Sequence, residues 1–174
     1  MVEVTVSRLG IDSTTNSYVV ILQEKTGLRV LPIWIGRPEA ESILVQMNDV
    51  KRERPFTHDL CRALIVALGG ALRRVTISRV QKNTYFAEMH LESEAGQVQL
   101  DARPSDSIAI ALRLDAPIFV HDGLLGTPDD LADSGTPPSD PSPFLTSLPE
   151  EMSPEALKEY LTRLRPEDFG KFTP

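Results

Sequence analysis

The sequence contains little cysteine and no long apolar segment. Its 174 residues include a single cysteine, so no disulfide can form within the chain. Nowhere do about 18 apolar residues follow one another, which is the length that a membrane-spanning helix requires. The first residues also lack the basic and apolar segments of a signal peptide. We therefore expect a cytoplasmic protein that has no membrane partner.

The signature motifs of several enzyme classes are missing as well. The chain has no Gly-x-Gly-x-x-Gly segment, no Walker loop and no Gly-x-Ser-x-Gly segment. Dinucleotide binding, nucleotide hydrolysis and α/β-hydrolase chemistry therefore have no support, and we expect no organic cofactor. His90 and His121 are not spaced as metal ligands relative to each other or to Cys61, so no zinc site is indicated.

The net charge of −7 argues against a nucleic-acid partner, because duplex binding takes most of its affinity from cations that neutralise phosphates. The charges are unevenly distributed, however. Residues 51–82 contain eight basic and two acidic residues, a local balance of +6, and the rest of the chain carries −13. This segment can form a positive face for a phosphate backbone. Alternatively, its arginines are solvated on the outside of helices and strands.

Alternation of apolar and polar residues predicts a strand at residues 2–9. Apolar residues on both sides of a turn at residues 25–27 predict two more strands, at residues 18–22 and 29–35. A helix follows them. Pro38 suits its first turn, because a residue there needs no N–H for the helix. Apolar residues then recur on one helical face to about residue 49.

The second half repeats this order after an additional helix. That helix is expected to begin at Thr57, whose hydroxyl can cap it, and to end at Gly69-Gly70. Its apolar positions are Leu60, Leu64, Ala67 and Leu68. The pattern then predicts strands at residues 72–80, 85–92 and 97–102, a helix opened by Pro104, and a short buried strand at residues 117–120. The predicted fold class is α+β, with mixed or antiparallel sheets and helices.

In both halves, three strands are therefore followed by an Arg-Pro segment at the start of a helix. The two similar segments are residues 36–43 and 102–108. This similarity favours an internal βββα duplication, although the match is short and chance similarity is an alternative explanation. We assign residues 1–132 to the domain. Residues 133–152 are a proline-rich disordered linker, and residues 153–174 form an amphipathic C-terminal helix and tail.

Polar clusters lie at three predicted strand-to-helix junctions, where side chains and free N–H groups converge. Glu39 lies in the first turn of the first helix, where a carboxylate either complements the helix dipole or serves as a ligand. His58, next to Asp59, is the best proton-transfer candidate, because imidazole titrates near neutral pH and a carboxylate favours its charged form. A local hydrogen bond is the alternative role of this histidine.

The third junction contains Asp101, Arg103, Ser105 and Asp106. Arginine and hydroxyl groups bind phosphate, and carboxylate oxygens are ligands of divalent cations. The same residue types also form buried salt bridges and helix caps, and the spacing does not separate these two interpretations.

Three segments together resemble the bifunctional nuclease domain family, and the resemblance covers about residues 2–120. They are Leu31-Pro32-Ile33-Trp34-Ile35-Gly36 with Glu39-Ala40, Arg54-Pro55-Phe56-Thr57-His58-Asp59-Leu60, and Asp101-Ala102-Arg103-Pro104-Ser105-Asp106-Ser107-Ile108-Ala109-Ile110-Ala111-Leu112-Arg113 with Pro117-Ile118. Ser107 departs from the alanine that is usual in the family. The resemblance implies a compact α+β fold, cleavage of DNA and RNA, and association into a homo-oligomer, a dimer or higher.

The residues themselves then suggest roles in a nuclease. We assign catalysis to His58, Asp59, Asp101 and Asp106, and substrate binding to Arg54, Thr57, Arg103 and Ser105. A Mg²⁺ or Mn²⁺ ion would be held by Asp101, Asp106 and Glu39. The alternative is a non-enzymatic ligand-binding or regulatory oligomeric module, which the acidic net charge favours.

Overall fold

The computed structural model describes residues 1–12 and 17–127. These residues form one seven-stranded mixed sheet and three α-helices, so the predicted α+β class is confirmed. The elements are β1 (Val2–Asp12), β2 (Ser17–Glu24), β3 (Val30–Ile35), α1 (Arg37–Met47), α2 (Thr57–Ala67), β4 (Ala71–Gln81), β5 (Thr84–Ser93), β6 (Gly96–Ala102), α3 (Pro104–Leu114) and β7 (Ile118–Val120), followed by a 3₁₀ turn at Asp122–Leu124.

The linker at residues 133–152 and the C-terminal helix at residues 153–174 lie outside the described residues, as does the predicted domain boundary at residue 132. Within the part of the chain that the structure describes, no helix has the length and apolar character needed to cross a membrane.

The strand order in the sheet is β3-β2-β1-β7-β4-β5-β6. All neighbours are antiparallel except β4 and β7, which are parallel. The order is symmetric about β7, and each side of β7 consists of three consecutive strands that are followed in the chain by a helix. The element order therefore contains βββα twice, as the two Arg-Pro segments predict.

The core lies on the face of the sheet that the helices cover. Cross-strand neighbours on this face are apolar, as in the pairs Val75↔Met89 and Ile77↔Ala87. Side chains alternate along β5, so Ala87 and Met89 both point to the helices. Two register shifts interrupt the alternation in β4, where Leu72, Val75 and Ile77 are the buried apolar residues. These residues form one buried cluster with Ile43 of α1 and with Ile108, Ala109 and Ala111 of α3.

The short strand β7 joins the two halves of the sheet. Ile118 and Val120 are buried, as the wholly apolar segment predicts. Ile118 pairs with Val4 of β1 on one side and with Val75 of β4 on the other. The short apolar strand that follows α3 thus joins the meander β1–β3 to the meander β4–β6 in one sheet.

Helix α2 begins at Thr57, but Thr57 does not cap it. The residue before the helix is Phe56, and no side-chain cap hydrogen bond is made at that position. Instead, the Phe56 N–H donates to Asp59 Oδ2 over 2.7 Å. A carboxylate in the first turn thus satisfies a backbone donor that the predicted threonine cap leaves free.

The apolar residues of α2 also point away from the core. Leu60, Leu64 and Leu68 are 53%, 52% and 80% exposed, and Ala67 is exposed too. The contact with the core comes from other positions of the helix, Cys61 and Ile65. Helical spacing alone predicts an apolar face, but it does not predict which neighbour covers that face.

A buried arginine connects the three helices. The Arg113 side chain is 1% exposed. Its Nε donates to Asp59 Oδ1 of α2, its Nη1 donates to Ala109 O over 2.8 Å, and its Nη2 donates to Ser42 O of α1 over 3.2 Å. The guanidinium therefore fixes α1 and α2 relative to α3, since each acceptor is held by a directed hydrogen bond.

We expect Asp59→Asn to lower the free energy of unfolding by about 3 kcal/mol, because the substitution leaves the buried Arg113 charge without its ionic partner. Urea unfolding followed by circular dichroism measures this loss. The matched control is Glu92→Gln, which breaks the exposed pair with Arg73 and should cost less than about 0.5 kcal/mol. Equal losses in the two variants would contradict a structural role for Arg113.

Candidate functional site

The N-terminal ends of the three helices bring five polar side chains together, and we call this set the polar cluster. Glu39 and Ser42 belong to α1, His58 and Asp106 lie in the first turns of α2 and α3, and Arg103 immediately precedes α3. Pro38 and Pro104 occupy the first turns of α1 and α3, where a missing N–H costs nothing. The packing of α3 against both α1 and α2 brings these ends together.

His58 occupies the middle of the cluster, and both of its ring nitrogens have partners. Nδ1 lies 2.8 Å from Ser42 Oγ, and Nε2 lies 3.1 Å from Asp106 Oδ1. An ionised carboxylate can only accept, so the neutral ring carries its proton on Nε2 and accepts the Ser42 hydroxyl proton at Nδ1. These two bonds fix the plane and the tautomer of the imidazole.

Ser42, His58 and Asp106 are the residue types of a catalytic triad, but Ser42 cannot act as the nucleophile. Its residue exposure is 3%, and its hydroxyl points to the imidazole from inside the protein. A nucleophile must reach the substrate. Ser42 therefore orients His58, and the accessible side of the network is formed by Asp106 and Arg103.

Arg103 is the most exposed member of the cluster, with 67% of its side chain accessible. Its Nε donates to Asp106 Oδ2 over 2.7 Å, and its Nη2 contacts Asp106 Oδ1 at 3.1 Å and Glu39 Oε1 at 2.9 Å. The remaining nitrogen, Nη1, makes no hydrogen bond to any residue that the structure describes. The guanidinium thus bridges two carboxylates and keeps donors available to an anion.

The two carboxyl groups nearest His58 are held in their ionised form. Burial alone would raise the pKa of Asp106, but the hydrogen bonds from Arg103 and His58 outweigh it and lower the pKa below its ordinary value. Burial likewise opposes ionisation of Asp59, whose pKa is nevertheless lowered by Arg113 and by the Phe56 N–H. Both groups are therefore anions at neutral pH.

The structure separates the residues that the sequence suggested into two groups. Glu39, His58, Arg103 and Asp106 lie together in the polar cluster. Asp59 is next to His58 in the chain, but its carboxylate is bound to Arg113 and Phe56. The catalytic role of Asp59 stays a prediction, and its visible role is structural.

The remaining suggested residues are outside this network. Asp101 pairs with Glu88 in the ladder between β5 and β6, on the sheet face opposite the buried Ala87. Thr57 and Arg54 are exposed, and Ser105 is buried in the first turn of α3. None of these four side chains forms a hydrogen bond or an ion pair with the polar cluster within the described residues. Their assigned roles stay predictions.

The described side chains do not present a ready-made metal site. No group of three histidine, cysteine, aspartate or glutamate side chains among them is arranged to hold a metal ion. Glu39 and Asp106 are both paired with Arg103, and Asp101 lies apart from them. The expected Mg²⁺ or Mn²⁺ ion therefore stays a prediction, and no reaction step is derived through it.

Sequence reasoning missed Ser42 and Arg113. Ser42 adjoins the core residue Ile43 in α1, and Arg113 follows the buried Ala109 by one helical turn in α3. Polar residues on the inner face of a helix are rare unless they are hydrogen-bonded. This position within an apolar pattern was the available signal for both residues.

Comparison with known proteins gives a consistent result. The model of the bifunctional nuclease domain matches residues 20–129. An uncharacterized protein of Mycobacterium tuberculosis is 38% identical over 169 residues, which are 97% of this chain and 98% of that protein. Bifunctional nucleases 1 and 2 of Arabidopsis thaliana are 31% and 29% identical over 59% and 61% of this chain. This similarity covers only 32% and 33% of the two plant proteins.

The lowered pKa values of Asp59 and Asp106 make stability depend on pH. A carboxyl group whose pKa is lower in the folded state stabilises the fold above its unfolded pKa of about 4, and that contribution is lost as the pH falls through the folded value. We expect the free energy of unfolding, measured in urea between pH 6 and 2, to fall steeply below about pH 4.

Asp106→Asn should reduce this acid-dependent loss, because the variant has no carboxyl group to protonate at that position. Asp101→Asn is the control, since Asp101 is exposed on β6 and should leave the pH dependence close to that of the unmodified chain. An unchanged pH dependence in Asp106→Asn would contradict the coupling of Asp106 to Arg103 and His58.

Proposed function

The chain belongs to the bifunctional nuclease domain family, and we propose that it binds nucleic acid at the polar cluster and hydrolyses phosphodiester bonds there. The matched residues 20–129 include all five members of the cluster. The observation that carries the proposal is the convergence of an imidazole, a carboxylate and an exposed guanidinium at three helix N-termini. These groups supply proton transfer and phosphate binding in one place.

Phosphate binding is assigned to Arg103. Its Nη1 is not engaged by the described residues, and the side chain is 67% exposed. The positive ends of the α1 and α3 dipoles lie beside it and favour an anion. Arg54 is exposed in the connection before α2 and adds positive charge from the basic segment at residues 51–82.

Proton transfer is assigned to the His58–Asp106 pair. Water attacks the phosphorus, its proton passes to this pair, and the leaving oxygen receives a proton, so that a phosphodiester and water give a phosphomonoester and an alcohol. Arg103 neutralises the charge that develops on the phosphoryl oxygens. Because His58 Nε2 contacts Asp106 in the free protein, the imidazole exchanges this partner for the reacting oxygen when substrate binds.

A second candidate function is a non-enzymatic module that binds an anionic ligand. The observation that favours it is the closure of the network, since both nitrogens of His58 and both oxygens of Asp106 are already hydrogen-bonded within the protein. In this case Arg103 binds the anion, and the carboxylates and the imidazole only hold the guanidinium in position.

Nuclease assays with the full chain test the proposal. We expect cleavage of fluorescent single-stranded RNA, single-stranded DNA or duplex DNA, measured with Mg²⁺, with Mn²⁺ and with a chelator. His58→Ala and Asp106→Asn should each lower kcat/KM by about 100-fold or more, because they remove a proton-transfer group. Circular dichroism and thermal unfolding verify that the variants are folded.

Arg103→Ala and Arg73→Ala form a matched pair for the phosphate-binding step. Both arginines are exposed, at 67% and 63%, and each forms a short ion pair, at 2.7 and 2.6 Å. Arg103→Ala should weaken nucleic-acid binding and cleavage, whereas Arg73→Ala should have a much smaller effect. Equal effects would contradict binding at the polar cluster.

Salt dependence separates the two candidate functions. A nuclease that neutralises phosphates loses affinity for nucleic acid as the salt concentration rises. If the protein binds no nucleic acid at low salt and cleaves none with any of the added ions, the nuclease proposal is wrong and the anion-binding module is retained. The cytoplasmic location expected from the sequence stays a prediction in either case.

A further inference from the structure

Strand β6 forms an unprotected edge of the sheet. It pairs with β5 on one side, and no strand of the described residues pairs with its other side. Residues 96–101 are all exposed. The strand has no proline, no lysine and no bulge in its pairing with β5, and these are the usual means by which a protein blocks pairing at an edge. Its free N–H and C=O groups therefore form a template for another strand.

The opposite edge of the sheet is different. Strand β3 contains Pro32, which has no N–H to donate. In addition, Val30 exchanges two backbone hydrogen bonds with Gly126, at 2.8 and 2.9 Å, so the chain after β7 occupies part of that edge. Among the described residues, one edge is thus protected and the other has no partner, which disfavours a head-to-tail filament that joins β6 to β3.

Apolar side chains accompany the open edge. Val98 and Leu100 of β6 are 50% and 47% exposed. They pair with Leu91 and Met89 of β5, so they point to the face of the sheet that the helices cover. The helices do not cover them. A partner that extends the sheet at β6 would remove these two side chains from water.

Helix α2 ends close to β5, the strand that pairs with β6. The C-terminal end of α2 adjoins the end of β5, because a Cβ at Gly70 would lie 3.8 Å from Glu92 O. Glu92 pairs with Gln97 at the start of β6. Leu64 of α2 and Leu68 at its C-terminal end are also exposed.

We infer that β6 pairs antiparallel with β6 of a second copy of this chain, about a two-fold axis at Gln99. In this register Val98 lies opposite Leu100 of the partner subunit, and Gln97 lies opposite Asp101 of the partner subunit. Each apolar residue then meets an apolar residue, which stabilises a cross-strand pair. Asp101 is the only charged residue of β6, and the register keeps the two copies of Asp101 apart.

The charge of this edge excludes nucleic acid as its occupant. Strand β6 contains no basic residue, and the adjacent strand β5 contributes Glu88 and Glu92 beside it. A phosphate backbone would be repelled there. The self-pairing register, by contrast, brings no two carboxylates opposite each other, so a second copy fits the edge better than a polyanion does.

Cysteine cross-linking in the full chain tests the register. In a Cys61→Ser background, Gln99→Cys should form a disulfide-linked pair of chains under mild oxidation, because the two copies of residue 99 face each other at the axis. Gln97→Cys is the matched control. Its two copies would be about 13 Å apart along the strands, which is too far for a disulfide. Equal cross-linking of the two variants, or none in Gln99→Cys, would overturn the inference.

Light scattering coupled to gel filtration tests the interface without cysteine. The double substitution Val98→Lys with Leu100→Lys should reduce the mass of the assembly by at least half, because lysine on an edge strand opposes pairing. Val80→Lys, at a similarly exposed valine of β4, should leave the mass unchanged. If the unmodified chain is monomeric at high concentration, or if the double variant keeps its mass while remaining folded by circular dichroism, β6 is not the interface.

Discussion

The buried guanidinium of Arg113 is the constraint on which the rest of the site depends. It binds a backbone carbonyl of α1, a carboxylate of α2 and a carbonyl of its own helix. A buried charge must keep its partners, so the three helices cannot shift independently. Their N-terminal ends are therefore held together, and His58, Asp106 and Arg103 meet there although they come from different parts of the chain.

The inner residues of the polar cluster are shielded from solvent, and its outer residue, Arg103, is exposed. Ser42 and His58 are shielded, and their hydrogen bonds fix one orientation of the imidazole. Arg103 is exposed and neutralises two carboxylates, and its Nη1 has no hydrogen-bond partner among residues 1–12 and 17–127. This gradient from buried to exposed groups favours a preorganised site for an anion, because little reorganisation is needed when the ligand binds. The membership in the bifunctional nuclease domain family is the reason why we propose nucleic acid as that anion.

The two edges of the sheet differ from each other, and the helices that carry most of the polar cluster belong to the two units on either side of β7. Around β7 the sheet is symmetric, and the two βββα units supply α1 and α3, which carry three of the five cluster residues and are adjoined by a fourth, Arg103. The edge at β3 is occupied in part by Gly126, whereas the edge at β6 is open and flanked by apolar side chains. The proposed nuclease site and the proposed β6 interface thus lie in different parts of the same domain, and each proposal can be tested without disturbing the other.

The sequence by itself determined the local structure. Alternating and helical patterns located the seven strands and three α-helices of the part of the chain that the structure describes, since these periods follow from backbone geometry. The sequence also suggested Glu39, His58, Arg103 and Asp106 as residues of a functional site. Only the tertiary structure decided that these four residues contact one another and that Asp59 pairs with Arg113. It also decided that Asp101 lies on the sheet face opposite the buried Ala87. In the folded protein Leu60 and Leu64 of α2 are exposed, although their helical spacing predicts a buried face. The physical reason is that a period specifies which residues share a face, whereas packing between distant segments decides what that face contacts.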